Sequence, residues 1–223
     1  MEWIPWRDQF LEELLRSEGL GGFPLQCTEC QLPASFRCQD CFGLGLLCQT
    51  CLLSTHARHP LHRVEVRPHL QPCWALLTPS LWQRWNGTYF EEAILGALGL
   101  FLQLGHPAGN TCPLPSRYHQ LTVFDLTSVH QVIIRYCVCS PEDYAYRRRQ
   151  LLRVGWFPAT IVHPHTVFTF RLLDFFHQLQ SQNKTNLYDF YKTIVHLSNN
   201  AGLSLEIVSS MNRPVVIYPK SFA

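Results

Sequence analysis

The chain has 223 residues, 47% hydrophobic and 13% aromatic, enough apolar material for one large core or two small ones, which excludes wholesale disorder. Charged residues are only 15%, against about a quarter in an ordinary globular domain, a balance that suits part of a larger assembly. The formal net charge of +2 counts every cysteine as neutral; six thiolates set against two divalent cations bring it to zero, so bulk basicity gives no reason to expect nucleic-acid binding.

The N-terminal Met-Glu-Trp-Ile-Pro-Trp-Arg-Asp lacks the basic, apolar and small-residue order of a secretory signal. Residues 1–26 are expected to hold an amphipathic helix. Asp8 serves as its cap, Phe10, Leu11, Leu14 and Leu15 form one apolar stripe that packs on the next segment of the chain, and Gly19 ends it.

Residues 27–65 concentrate the chemistry. Three CxxC pairs, Cys27/Cys30, Cys38/Cys41 and Cys48/Cys51, are followed by His56, His59 and His62. Ten cysteines without an export signal imply a reducing compartment, where such pairs hold metal more often than they form disulfides. Two residues between cysteines let the backbone turn both sulfurs onto one tetrahedral ion and leave amide N–H groups to hydrogen-bond the thiolates. Closing the first two pairs on one ion is cramped, because the loop between them is short. Interleaving the pairs gives a cross-brace with two closed zinc sites. Cys27, Cys30, Cys48 and Cys51 form one, and Cys38, Cys41, His56 and His62 the other, with His59 as a reserve ligand. The apolar residues between the pairs are too few for a metal-free core, so binding energy of the ions becomes folding energy. By spacing, the nearest general class is a B-box-like or RING-like double-zinc module.

From Val66 to Gln83, with Pro68, Pro72, Cys73 and Pro79, neither a helical nor a strand period is sustained, and the stretch reads as a loop or insertion. Cys73 has no partner by spacing. Residues 84–140 read as a small β-rich unit: a strand over Leu98–Leu104, then Leu121–Asp125 and Gln131–Cys137 as a hairpin turning near Thr127-Ser128-Val129. The longest apolar run, Ile94–Leu104, is about half a membrane span. In Cys137-Val138-Cys139 the period of a strand puts both sulfurs on one side. With Cys112 as third ligand and His106 or His130 as fourth, they suit a third zinc site, against the alternative of buried apolar-like thiols.

Residues 141–223 are read as a helical region. Arg147, Arg148, Arg149 and Arg153 form a short basic run that can touch phosphates, although solvated arginines are the commoner use of such a run. Two amphipathic helices come next, Val167–Leu179 and Leu187–Leu197, separated near Asn183-Lys184-Thr185. The tail from Met211 shows no continuation. No GxSxG, phosphate-cradling glycine loop, HExxH or acidic triad is present, so no catalytic residue and no small-molecule substrate are expected. The fold class is α+β: a zinc-stapled cross-brace, a hairpin-containing unit and a C-terminal helical pair.

Taken together, "CTEC…FRCQDCFGLGLLCQTCLLSTHARHPLHRVE", "RWNGTYFE", "LGLFLQLGH", "CVC", "QLLRVGWFPAT" and "FYKTIVHLSNNAGL" resemble the N-terminal CxC-type cysteine-cluster region of Kyakuja-Dileera-Zisupton (KDZ) transposases of the fungal type. The motifs run in order from about Phe10 to Leu203. The resemblance implies that Cys27, Cys30, Cys38, Cys41, Cys48, Cys51, His56 and His62 are ligands. It also places Gly105-His106, Cys112, Cys137 and Cys139 in family motifs. The chain departs from the family in carrying Val66–Gln83 between two motifs that the family nearly joins. The family's RNase-H-like nuclease is expected downstream of Leu203, so the resemblance implies a nuclear, non-catalytic region with transposon DNA or other transposase subunits as partners. The alternatives are a B-box-like protein-interaction module without DNA binding and a degenerate transposon remnant.

Overall fold

The structure is a computed structural model, and it describes residues 3–43, 45–67, 91–107, 110, 112–139 and 143–198. The chain divides into two compact units, Met1–Gly99 and Leu100–Ala223.

In the first unit a 3-10 turn at Ile4–Trp6, with Pro5 opening it, feeds helix α1 (Arg7–Glu18), which Gly19 ends. Two expectations are corrected here. Trp6 occupies the cap position without a side-chain bond, and Asp8 lies in the first turn, where its charge complements the helix dipole. The apolar stripe does not pack on the next segment of the chain: among the described residues every α1 side chain is exposed, Phe10 at 54% and Leu14 at 64%. The helix is held by its C-terminal end instead. The Arg37 guanidinium donates to the carbonyls of Ser17 (2.9 Å), Glu18 (3.2 Å) and Gly19 (2.7 Å), groups that no helical N–H can reach.

Arg37 lies on β1 (Phe36–Cys38). Helix α2 (Gln49–His56) comes next, then β2 (Val64–Val66) and β3 (Glu91–Ala93), and the strands form an antiparallel sheet in the order β1-β2-β3. Alternation buries Phe36, Cys38, Val64 and Val66 on one face. On the other, Arg37 and Glu65 stand directly opposite and pair at 2.5 Å. Val66, expected to open a loop, is the paired end of β2. The remainder of that expected loop, with Cys73, Trp74 and Trp82, falls outside the described residues. Among the described residues of this unit Cys27, Ala34 and Leu46 form one small buried cluster, with Leu52, His56 and Leu95 also buried.

The second unit is built on a five-stranded mixed sheet. β4 (Phe101–Gln103), β5 (His119–Phe124), β6 (Val129–Arg135), helix α3 (Asp143–Arg153), β7 (Trp156–Pro158) and β8 (Thr166–Thr169) give the order β4-β6-β5-β8-β7. The expected hairpin is β5/β6, turning over Asp125–Ser128. The strand expected over Leu98–Leu104 contracts to its centre, since Leu98 and Gly99 are drawn into turns by bonds to Ile94 and Gly96. The first helix of the C-terminal pair begins later than its apolar period suggests. Val167 belongs to β8, parallel to β5, and α4 (Phe170–Gln182) starts after Thr169, whose hydroxyl accepts from the Leu172 N–H. Three β-branched residues in four favour the strand, and the threonine caps the helix. Strands β7 and β8 thus carry the sheet past residue 140, so the C-terminal region is not helical alone.

Helix α5 (Leu187–Ser198) comes after a break at Asn183–Asn186 and is capped by the Asn186 side chain, which accepts from the Asp189 N–H at 2.8 Å. Phe124, Phe168, Leu172, Phe176, Phe190 and Ile194 make the core between sheet and helices. Beneath it Asp125, fully buried, accepts from the Thr169 hydroxyl (2.6 Å) and from Nε and Nη2 of Arg171. Among the described residues no helix is long and apolar enough to cross a membrane.

Candidate metal centres

Three groups of four donors converge, each with its ligand atoms within 4.8 Å of one another: Cys27, Cys30, Cys48 and Cys51; Cys38, Cys41, His56 and His62; His106, Cys112, Cys137 and Cys139. A tetrahedral zinc with bonds of about 2.3 Å to sulfur requires sulfurs about 3.8 Å apart, and slightly less for sulfur and nitrogen. Cys30 and Cys48 lie 3.6 Å apart, Cys112 and Cys139 3.6 Å, Cys38 and His62 3.5 Å, Cys41 and His56 3.5 Å, and Cys139 and His106 3.9 Å. The donor sets and spacings therefore fit zinc at all three.

In the first centre, Cys27 and Cys30 sit on a tight turn closed by Gln31 N–H to Cys27 O (2.9 Å), and Gln31 takes a left-handed φ of 62°. The opposing pair belongs to α2: Cys48 is its N-cap and accepts from the Cys51 N–H at 3.5 Å. A helix N-terminus favours negative charge, so thiolates are well placed there. Burial pushes the Cys27 thiol up, but backbone N–H bonds around Cys48 and Cys30 outweigh it and bring it down to about 6. Hydrogen bonding with the sulfurs of Cys48 and Cys30 raises Cys51. Cys27 is thus the thiol that ionises most easily while Cys51 is shifted the opposite way, a conflict that a divalent cation would relieve.

The second centre draws on β1, the last turn of α2 and the segment before β2. His56 Nδ1 faces the Leu52 carbonyl at 2.9 Å, an acceptor only, so Nδ1 carries the proton and Nε2 keeps its lone pair toward Cys41. Burial lowers the His56 pKa and favours this neutral ring. His62 points Nδ1 at Cys38 and at Cys41 (3.3 Å). Burial pushes Cys38 up to about 12, and the adjacent Cys41 sulfur adds to it. His59, the reserve ligand, stands outside the group and stacks on His62 at 4.8 Å between ring centroids.

Sequence reasoning missed the bracket that sets this geometry. Asp40, inside the second CxxC pair, accepts from the Arg63 N–H (2.6 Å) and from its guanidinium (2.6 Å), tying the cysteine turn to the residue after His62. Burial raises Asp40, but the Arg63 bonds prevail and hold it below the ordinary carboxylate range. An acid and a base one residue from ligands on either side were the available signal.

The third centre is assembled over longer distances. His106 lies just past the turn after β4, Cys112 lies in the loop before β5, and Cys137 and Cys139 leave β6. His106 fills the fourth position, and His130 lies on β6 outside the group. Hydrogen bonds with Cys137 and His106 bring Cys139 down to about 7, while burial pushes Cys137 up to about 11. Gln150 on α3, fully buried, clamps the Cys137 peptide: its Oε1 accepts from the Cys137 N–H and its Nε2 donates to the Cys137 carbonyl, both at 2.9 Å. A Cβ on Gly105 would lie 2.6 Å from Cys137 Cβ and 2.7 Å from Gln150 Oε1, so only glycine fits beside the clamp.

The basic run does not form one face. Arg147 lies over the Tyr136 ring at 5.5 Å, Arg148 reaches the Ile161 carbonyl at 3.4 Å, and Arg149 and Arg153 are one turn apart on the exposed side of α3.

Residues 95–202 match the family model of the CxC2-like cysteine cluster associated with KDZ transposases. The matched segment takes in all of the third centre and the five-stranded sheet, whereas the first two centres precede it. No curated protein and no solved structure matches the chain.

Proposed function

We propose that the chain is a zinc-binding, non-catalytic region of a KDZ-type transposase that acts in the nucleus, in recognition of transposon DNA or in assembly of the transposase complex. The observation that carries this reading is the convergence of three four-donor groups at tetrahedral spacing, one of them inside the CxC2-like match. The first two groups interleave along the chain in the cross-braced manner of B-box and RING modules, and their full donor sets leave no open coordination position for catalysis. Zinc there acts as a staple for a unit with little core of its own.

Between the two roles, assembly has the stronger support. Nine thiolates set against three divalent ions shift the formal charge from +2 to −1, and the arginines of α3 diverge. Metal analysis of the natively purified chain is the first test, with three zinc ions per chain expected and two after Cys112→Ser. A chain without metal, its thiols oxidised, would overturn the reading. Filter binding to duplex DNA at two salt concentrations then separates the roles, since phosphate contacts predict a steep loss of affinity with salt.

A further inference from the structure

Helix α1 and the turn before it hold none of the grouped donors, yet among the described residues they present a run of exposed apolar side chains: Trp3, Trp6, Phe10, Leu11, Leu14 and Leu15, exposed by 54–64%. The pattern along its centre is specific. Arg7, Leu11, Leu14 and Glu18 are spaced by four, three and four residues, so they share a single line along the helix, with opposite charges at its two ends. Such a line is its own complement when reversed.

We propose that α1 is the docking surface for a second copy of this chain, in an antiparallel helix pair centred between Glu12 and Glu13. In that register Leu11 stands opposite Leu14, Phe10 opposite Leu15 and Arg7 opposite Glu18, twice over by the two-fold axis. A parallel pair would set Arg7 against Arg7 and Glu18 against Glu18. In this register Trp6 of the other copy comes to the C-terminal end of the helix, where Gly19, Leu20, Phe23 and Leu46 line a shallow apolar depression beside Arg37. The present contacts of Arg7 and Arg16 do not compete strongly, since the Arg7–Asp8 and Arg16–Glu13 pairs are exposed surface pairs. The interface uses residues of the first unit only and stands independently of what the metal centres do.

Sedimentation velocity on the full zinc-loaded chain, over a roughly hundredfold range of concentration, tests it. A concentration-dependent dimer is expected, and Leu11→Glu with Leu14→Glu is expected to abolish it while zinc content stays unchanged. Arg7→Glu or Glu18→Arg alone should weaken the dimer about tenfold, and the two together should restore it. A chain that is monomeric throughout overturns the proposal, as does a dimer indifferent to the leucine substitutions or a double reversal as weak as the single ones. A monomer that Leu11→Glu destabilises would mean that another segment of the same chain covers the face, which also overturns it.

Discussion

Gln150, fully buried on α3, holds both polar groups of the Cys137 peptide, and Gln150→Met tests what that hold is worth. Methionine keeps nearly the same length and volume, so loss of packing is small. What disappears is the pair of 2.9 Å bonds to Cys137 N–H and Cys137 O, at a site with no exposure to water. Each buried backbone group left without a partner costs about 1–3 kcal/mol, so with two such groups the variant should lose about 2–6 kcal/mol of stability. The clamped peptide also carries a candidate ligand, and losing such outer support typically weakens metal affinity by about 10- to 100-fold. Urea unfolding followed through Trp156, buried on β7, measures the first effect, and competition with a chromophoric chelator measures the second. A loss below about 0.5 kcal/mol together with unchanged affinity of the third ion would refute the reasoning, because a partner that matters in a dry interior cannot be removed silently.

Strong chelation should separate the two units. Hydrogen exchange is expected to show residues 27–66 losing protection, since the four-donor groups tie together the small cluster of Cys27, Ala34 and Leu46 and the short strands that bury Phe36, Val64 and Val66, while β5, β6 and β8 over the aromatic core stay protected. Burial pushes Asp125 up, but bonds from Arg171 and Thr169 prevail and hold its pKa below the ordinary value. Its contribution to stability is therefore fully present above about pH 4 and lost as pH falls through the folded-state pKa; Asp125→Asn should flatten that acid limb in thermal melts, and an unchanged limb would count against the network. Arg37→Gln should release the end of α1 at a cost of about 1–3 kcal/mol, seen as faster amide exchange over Arg7–Glu18 with β1 still paired to β2.

The sequence by itself determined the local features: the three CxxC turns and the histidines after them, the β5/β6 hairpin, the existence of α1, α4 and α5, and the donor types that suit zinc. These are legible because metal-ligand spacing, the period of two and the period of 3.6 are short-range properties of the chain. Only the tertiary structure decided which side chains hold the ligands in place. Gln150 reaches Cys137 because α3 packs over the end of β6, Arg63 reaches Asp40 because the chain doubles back after His62, and His106, rather than His130, joins the third group because β4 pairs in parallel with β6. It also decided that Val167 is a strand residue, since pairing with β5 overrides an apolar pattern that suits a helix equally well. Amphipathic period alone implies that α1 has a partner; the tertiary structure shows that, among the described residues, nothing in its own unit fills that place. Contacts across long stretches of chain leave no periodic trace in sequence, because each depends on a closure that many unrelated residues together make favourable.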